Sequence, residues 1–184
     1  VPDDMKGLKW RTTKSPVEFM LVKNWGAVPT PYDWSQLYTG LQSGVVEGQY
    51  VASPWQHVAK LHEVAKYFTE IGGMWSGNIL AMDAKQYNAL SSQERKWLHE
   101  AADAYGEKVN QLDNAWIKNG EDAIKASAKE WYVPSDAELT KWRAGAIGAW
   151  LDAKGTFEPA VAKRVLMEQG MDSFVAQLEK AGAL

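Results

Sequence analysis

The chain has 184 residues, 46% of them hydrophobic, and a formal net charge of −3 at pH 7. That hydrophobic content fills a substantial core in one or two domains, and the lack of a basic surplus argues against nucleic acid and anionic lipid as partners. The chain has no cysteine, which excludes disulfides, thiolate metal sites and cysteine nucleophiles, and no apolar run approaches the roughly 18–20 residues that span a bilayer.

The chain opens on Val1-Pro2-Asp3-Asp4, neither an initiator methionine nor a basic, apolar leader, so a processed or truncated product is expected. Residues 8–12 read as a strand. Ser15 as N-cap, Pro16 at the first helical position and Glu18 closing a capping box predict a helix that stops at Gly26. Residues 27–31 carry Pro29 and Pro31, which lack amide donors, and therefore predict an extended edge segment. Asp33 or Ser35 caps a second helix with Leu37, Tyr38 and Leu41 on one face and Gly44 at its end. Residues 45–46 and 48–51 give a third extended piece. A short helix from Pro54 to about residue 61, a strand over 64–69 and another over 77–82 complete the alternation. This rhythm predicts an α/β fold with mostly parallel strands joined by right-handed crossovers.

From Ser91 the pattern turns helical. Ser91 and Glu94 form a capping box, and Trp97, Ala101, Tyr105, Val109, Leu112 and Trp116 recur at spacings of four and three. One helix to about residue 128 follows, roughly 55 Å long, with Gly106 and Gly120 as kink points. Residues 130–133 predict a last short strand before Pro134. A helix capped by Ser135 and two more over 158–169 and 172–181 end the chain.

Catalytic and cofactor signatures are missing. His57 and His62 lie five residues apart, about 140° around a helix, so they do not share a metal as an i,i+4 pair would. Neither a glycine-rich phosphate loop, a nucleophile elbow nor an HExxH motif is present. The expectation is a protein with no enzymatic activity, no cofactor and no metal.

The informative residues sit at predicted strand ends, outside which open α/β sheets bind ligands. Arg11 ends the first strand, Trp34 follows the second, Tyr50 and Val51 end the third, and Trp75 precedes the strand beginning near Gly77. Together they predict one wall of a cleft, a guanidinium among aromatic faces, suited to bidentate pairing with a carboxylate. With ten tryptophans in the chain, several are core and others are available to line a pocket. Two alternatives stay open on local sequence: Arg11 as a surface strand residue beside an acid, and Trp34 as ordinary core.

The stretches Met5-Lys6-Gly7-Leu8-Lys9-Trp10-Arg11, Gly26-Ala27-Val28-Pro29-Thr30-Pro31, the run from Trp34 to Gln49 and His62-Glu63-Val64-Ala65-Lys66-Tyr67 resemble, in order and spacing, the substrate-binding proteins of tripartite ATP-independent periplasmic (TRAP) transporters, DctP type. The resemblance implies a periplasmic-binding-protein-like second lobe over residues 1–70, a return strand to the first lobe over 71–90, a long spanning helix over 91–129, and a carboxyl-terminal strand and helices over 130–184. It implies that the beginning of the amino-terminal lobe is missing, that the helical tail packs on that lobe, and that exposed surfaces favour self-association of the truncated chain. It also implies a periplasmic protein that closes on a small organic acid by hinge motion and delivers it to TRAP membrane subunits. Arg11 falls at the carboxylate-pairing arginine, Trp34 at a stacked aromatic, and Trp75 at a pocket-lining position. Tyr50 and Val51 stand where family members often carry an asparagine, which puts that polar contact in doubt. A zwitterionic, aromatic or amino-alcohol ligand and a role as a sensor subunit are the alternatives.

Overall fold

The computed structural model describes residues 1–73 and 79–184. The chain forms two compact units: Val1–Tyr50 with Lys60–Gly72 and Ala128–Leu184, and Val51–Ala59 with Gly73–Ser127.

The first unit is built on strand β1, Lys9–Thr12, flanked by β2, Val28–Pro31, and β3, Gly48–Gln49, in the order β2-β1-β3. Both pairings are parallel, as the alternation of elements predicts. Pro29 and Pro31 lie on the outer strand, where a missing amide donor costs no ladder bond. β3 is shorter than the expected 45–51. Gly44 adopts a left-handed conformation (φ 73°) that ends helix α2, Leu37–Ser43, and Val46 donates its N–H to the Gly40 carbonyl. Backbone at 45–46 thus closes a helix instead of extending the sheet. At Gly48 a Cβ would lie 2.1 Å from the Trp10 ring, so only glycine lets that indole lie across the strand.

Helix α1, Pro16–Asn24, starts as predicted at Ser15, whose hydroxyl accepts from the Glu18 N–H at 3.5 Å. The reciprocal half of the capping box is absent. The Glu18 carboxylate accepts from the N–H of Thr13 at 2.8 Å and from the Thr13 hydroxyl, tying the end of β1 to the first turn of α1. Val22 and Trp25 then bury against Met5, Ala27 and Trp142. Trp142 belongs to helix α6, Asp136–Asp152, which opens on a complete capping box at Ser135 and Glu138. The Trp25 indole N–H donates to the Trp142 carbonyl at 3.0 Å, and the two rings meet edge to face at 5.1 Å. A Cβ at Gly145 would stand 2.4 Å from the Trp25 ring, so this glycine makes the crossing of α1 and α6 possible.

The helical tail shares a unit with the sheet, and a buried indole with a donor to satisfy holds α6 against α1. Helices α7, Pro159–Glu168, and α8, Asp172–Ala181, finish the unit through Leu166, Val175 and Leu178, with Ile147 and Trp150 of α6 packed against them. Strands β4, Tyr67–Thr69, and β5, Glu130–Tyr132, pair in parallel as a separate two-stranded ribbon.

In the second unit, helix α3, Ser53–Val58, packs on helix α5, Ser92–Ser127. The 36 residues of α5 run through Gly106 and Gly120 as one continuous helix. At Gly120 a Cβ would come within 2.8 Å of the Pro54 Cα. Its bare backbone lets α3 and α5 touch, with Trp55 and Trp116 edge to face at 5.2 Å beside the contact. Helix α4, Ala84–Ala89, begins at Asp83, whose carboxylate accepts from the Gln86 N–H at 3.0 Å; sequence patterning overlooked it. The expected strand over 77–82 is not formed within the described residues. Gly77 and Asn78 lie outside them, and Ile79 and Leu80 are exposed and pair with no neighbouring strand. An extended segment becomes a strand only where a neighbour satisfies its ladder.

Because the obstruction at Gly120 is backbone, Gly120→Val is expected to destabilise the second unit by about 1–3 kcal/mol, the usual cost of overpacking. Thermal or denaturant unfolding of the variant, compared with Gly106→Val at a glycine with open space around it, measures the difference.

Candidate functional site

Parallel pairing sends the carboxyl ends of all three strands to the same edge of the sheet, and β1 is the central strand. Arg11 is the penultimate residue of β1, in register with Thr30 on one side and Gln49 on the other. The arginine is only 5% exposed, unlike the surface residue that local sequence left open. Its Nε donates to the Tyr32 carbonyl at 3.1 Å. The guanidinium lies over the Trp34 ring, 5.7 Å from its centroid, in cation–π range. Among the described residues, no carboxylate forms an ion pair with Arg11 and no acceptor binds its two terminal nitrogens.

Burial pushes the Arg11 pKa below its ordinary 12.5, while the charges of Glu18 and Asp33 act in the opposite direction. The side chain stays a cation at neutral pH, because arginine in proteins does not lose its proton. It is a desolvated positive charge, held at one nitrogen and open at two.

Arg11 lines a cavity of about 550 Å³, within the range of small-molecule sites. Arg11, Thr13 and Lys14 contribute from the end of β1, and Tyr32, Asp33 and Trp34 from the segment after β2. Trp34 is 41% exposed and begins a 3₁₀ turn, Trp34–Gln36, that leads into α2. It is a cavity wall, not the ordinary core residue that remained an alternative. The chemistry on offer is a fixed guanidinium, an aromatic face, a second cation at Lys14 and one carboxylate at Asp33.

The other expected residues are not joined to this cavity. Tyr50 packs edge-on against Trp25, ring centroids 5.5 Å apart, and does not line the cavity. Its buried hydroxyl has no partner among the described residues. Burial, with a smaller contribution from the Glu18 charge, pushes the phenol up to about 12. Val51 belongs to the second unit, where its carbonyl accepts from the Gln56 side chain at 2.7 Å. Trp75 lies outside the described residues.

Sequence patterning missed Lys14, Tyr32, Asp33 and Glu18. The rule that found Arg11 and Trp34, proximity to a strand end, applies equally to the first three. Glu18 was assigned only to a helix cap, yet its charge acts on both Arg11 and Tyr50.

A family model, DctP, described as bacterial extracellular solute-binding protein, family 7, matches residues 1–154. The ectoine-binding periplasmic protein TeaA of Halomonas elongata is 29% identical over 129 residues, covering 70% of this chain and 38% of that protein. Its high-resolution structure superposes with a TM-score of 0.75 at 23% identity, over 97% of this chain and 57% of that one. A TRAP periplasmic solute-binding protein from Shewanella oneidensis with bound succinate superposes with a TM-score of 0.77 at 21% identity, over 96% of this chain and 55% of that one. The chain thus spans well under two thirds of the length of each.

The raised Tyr50 pKa has a defined consequence for stability. The phenol is kept neutral in the fold, so its stabilising contribution is complete below pH 10 and is lost as pH rises through about 12. Tyr50→Phe is expected to flatten the fall in stability over that window and to cost little at neutral pH, because the hydroxyl it removes has no partner. Denaturant titrations at pH 8 to 12 on both proteins check this.

Proposed function

This chain belongs to the bacterial extracellular solute-binding proteins of family 7, and from that footing we propose that it captures a small organic acid anion on Arg11 and performs no reaction on it. The observation that carries the proposal is the buried guanidinium whose terminal nitrogens have no acceptor among the described residues. A desolvated charge without a counter-ion is costly, and breaking a buried pair typically costs about 3–5 kcal/mol. A ligand carboxylate relieves that cost with two parallel, charge-assisted hydrogen bonds. Trp34 covers the guanidinium and keeps water from competing, and Lys14 draws a second anionic group toward the rim. Family members are binding proteins. In the whole protein the same cavity lies outside the cytoplasmic membrane and delivers its ligand to the membrane subunits of a TRAP transporter. No helix among the described residues is long and apolar enough to cross a membrane.

A second reading rests on Asp33. Its carboxylate borders the same cavity as Arg11, so the lining offers one negative and two positive groups within about 550 Å³. That set also matches a compact zwitterion, its carboxylate on Arg11 and its cationic part between Asp33 and the Trp34 face.

Calorimetry with succinate and ectoine separates the readings. Arg11→Ala is expected to weaken whichever binds by about 10- to 100-fold, the equivalent of losing hydrogen bonds to a charged group. Unchanged affinity would remove Arg11 as the anchor. Asp33→Asn weakens ectoine and spares succinate if the ligand is a zwitterion; it spares or strengthens succinate binding, with no ectoine bound at all, if the ligand is an organic acid.

A further inference from the structure

Arg11 is oriented by the backbone carbonyl of Tyr32, a residue whose ring makes a close contact of its own. Tyr32 bonds to β1 twice: its N–H donates to the Thr12 carbonyl at 3.0 Å and its carbonyl accepts from the Arg11 Nε at 3.1 Å. The residue just beyond β2 is thus stitched to the last two residues of the central strand. Its ring lies on Gly40 of α2. A Cβ at Gly40 would stand 2.6 Å from Tyr32 Cε1 and 3.0 Å from Cζ, closer than a carbon pair tolerates, so any side chain there pushes the ring out. Gly40 is buried and has no left-handed backbone to explain it. The requirement for glycine comes from the tyrosine ring.

We propose that Gly40 is a positioning residue for ligand binding: its missing side chain seats the Tyr32 ring, which fixes the Tyr32 carbonyl, which holds the Arg11 guanidinium with its terminal nitrogens turned to the cavity. The proposal rests on Arg11 being the ligand anchor. A guanidinium pinned at Nε has lost the rotation that bidentate pairing would otherwise have to freeze, so pre-organisation here contributes to affinity without touching the ligand. The effect is local to one hydrogen bond. Gly40 does not itself border the cavity; it meets the site only through the Tyr32 ring.

Two measurements on the purified protein test it. In ¹⁵N NMR the Arg11 Nε–H resonance reports the bond to Tyr32 with or without ligand, and Gly40→Ala is expected to shift it and to speed its exchange with solvent. Calorimetry with the tighter-binding of succinate and ectoine is expected to show a loss of about tenfold for Gly40→Ala. In the Tyr32→Ala background, where no ring remains to be displaced, the same substitution is expected to cost less than about twofold. Equal losses in both backgrounds, or an unmoved Nε–H resonance, overturn the proposal. If Gly40→Ala does not fold, Tyr32→Ala alone carries the test, since it removes the ring and leaves the helix intact: the resonance must shift and affinity must fall. If Arg11→Ala leaves affinity intact, the anchor reading fails, and the Nε–H resonance still decides whether Gly40 seats the carbonyl.

Discussion

An arginine that has lost nearly all contact with water, and that bonds to one neutral acceptor and forms no ion pair among the described residues, is an unsettled charge. The charges of Glu18 and Asp33 act on the guanidinium without forming an ion pair with it, and under the proposed function the pairing carboxylate is the ligand's. Much of the first unit can be understood as the apparatus that keeps Arg11 in this condition. The parallel sheet places it near the carboxyl end of the central strand, Tyr32 fixes one nitrogen, and Trp34 covers the plane. Two nitrogens in a planar fork are left for a planar acceptor, the geometry of a carboxylate.

Rigid support comes from a recurring device, an aromatic ring set against a bare glycine. Trp10 lies on Gly48, Trp25 on Gly145 and Tyr32 on Gly40. Each pairing lets a large ring reach the backbone of a neighbouring element, so that β1 is braced against β3, α1 against α6, and the segment after β2 against α2. A site that depends on small displacements of one guanidinium benefits from a close-packed frame, because packed interiors shift in discrete steps and do not yield gradually. Gly120 against Pro54 repeats the device within the helical unit with backbone in place of a ring.

The sequence was legible where local chemistry and tertiary context agree. Ser15, Ser91 and Ser135 mark helix starts because a hydroxyl satisfying an orphan N–H works the same way in any surroundings. Arg11 and Trp34 line one cavity because parallel strands put their ends on one edge. Tyr50 packs on Trp25 and does not line this cavity, because a residue at the end of a strand can turn either to a cavity or to the core, and Trp25 is distant in sequence. Glu18 was read as a reciprocal cap, whereas Thr13, two residues earlier than Ser15, competes for its carboxylate. The apolar residues 79–82 carry strand propensity, yet a strand is a property of a pair, and one segment does not specify its partner. None of the glycine contacts has a sequence signature: Gly40 in a helix reads as a mild defect until the ring that needs it is seen.

The most direct measurement is a crystal structure of the protein with bound succinate or ectoine. Both terminal nitrogens of Arg11 are expected within about 2.7–2.9 Å of one ligand carboxylate, the spacing of charge-assisted pairs, with the Arg11 Nε still on the Tyr32 carbonyl. A ligand seated elsewhere, with Arg11 paired to Glu18 or Asp33, would contradict it.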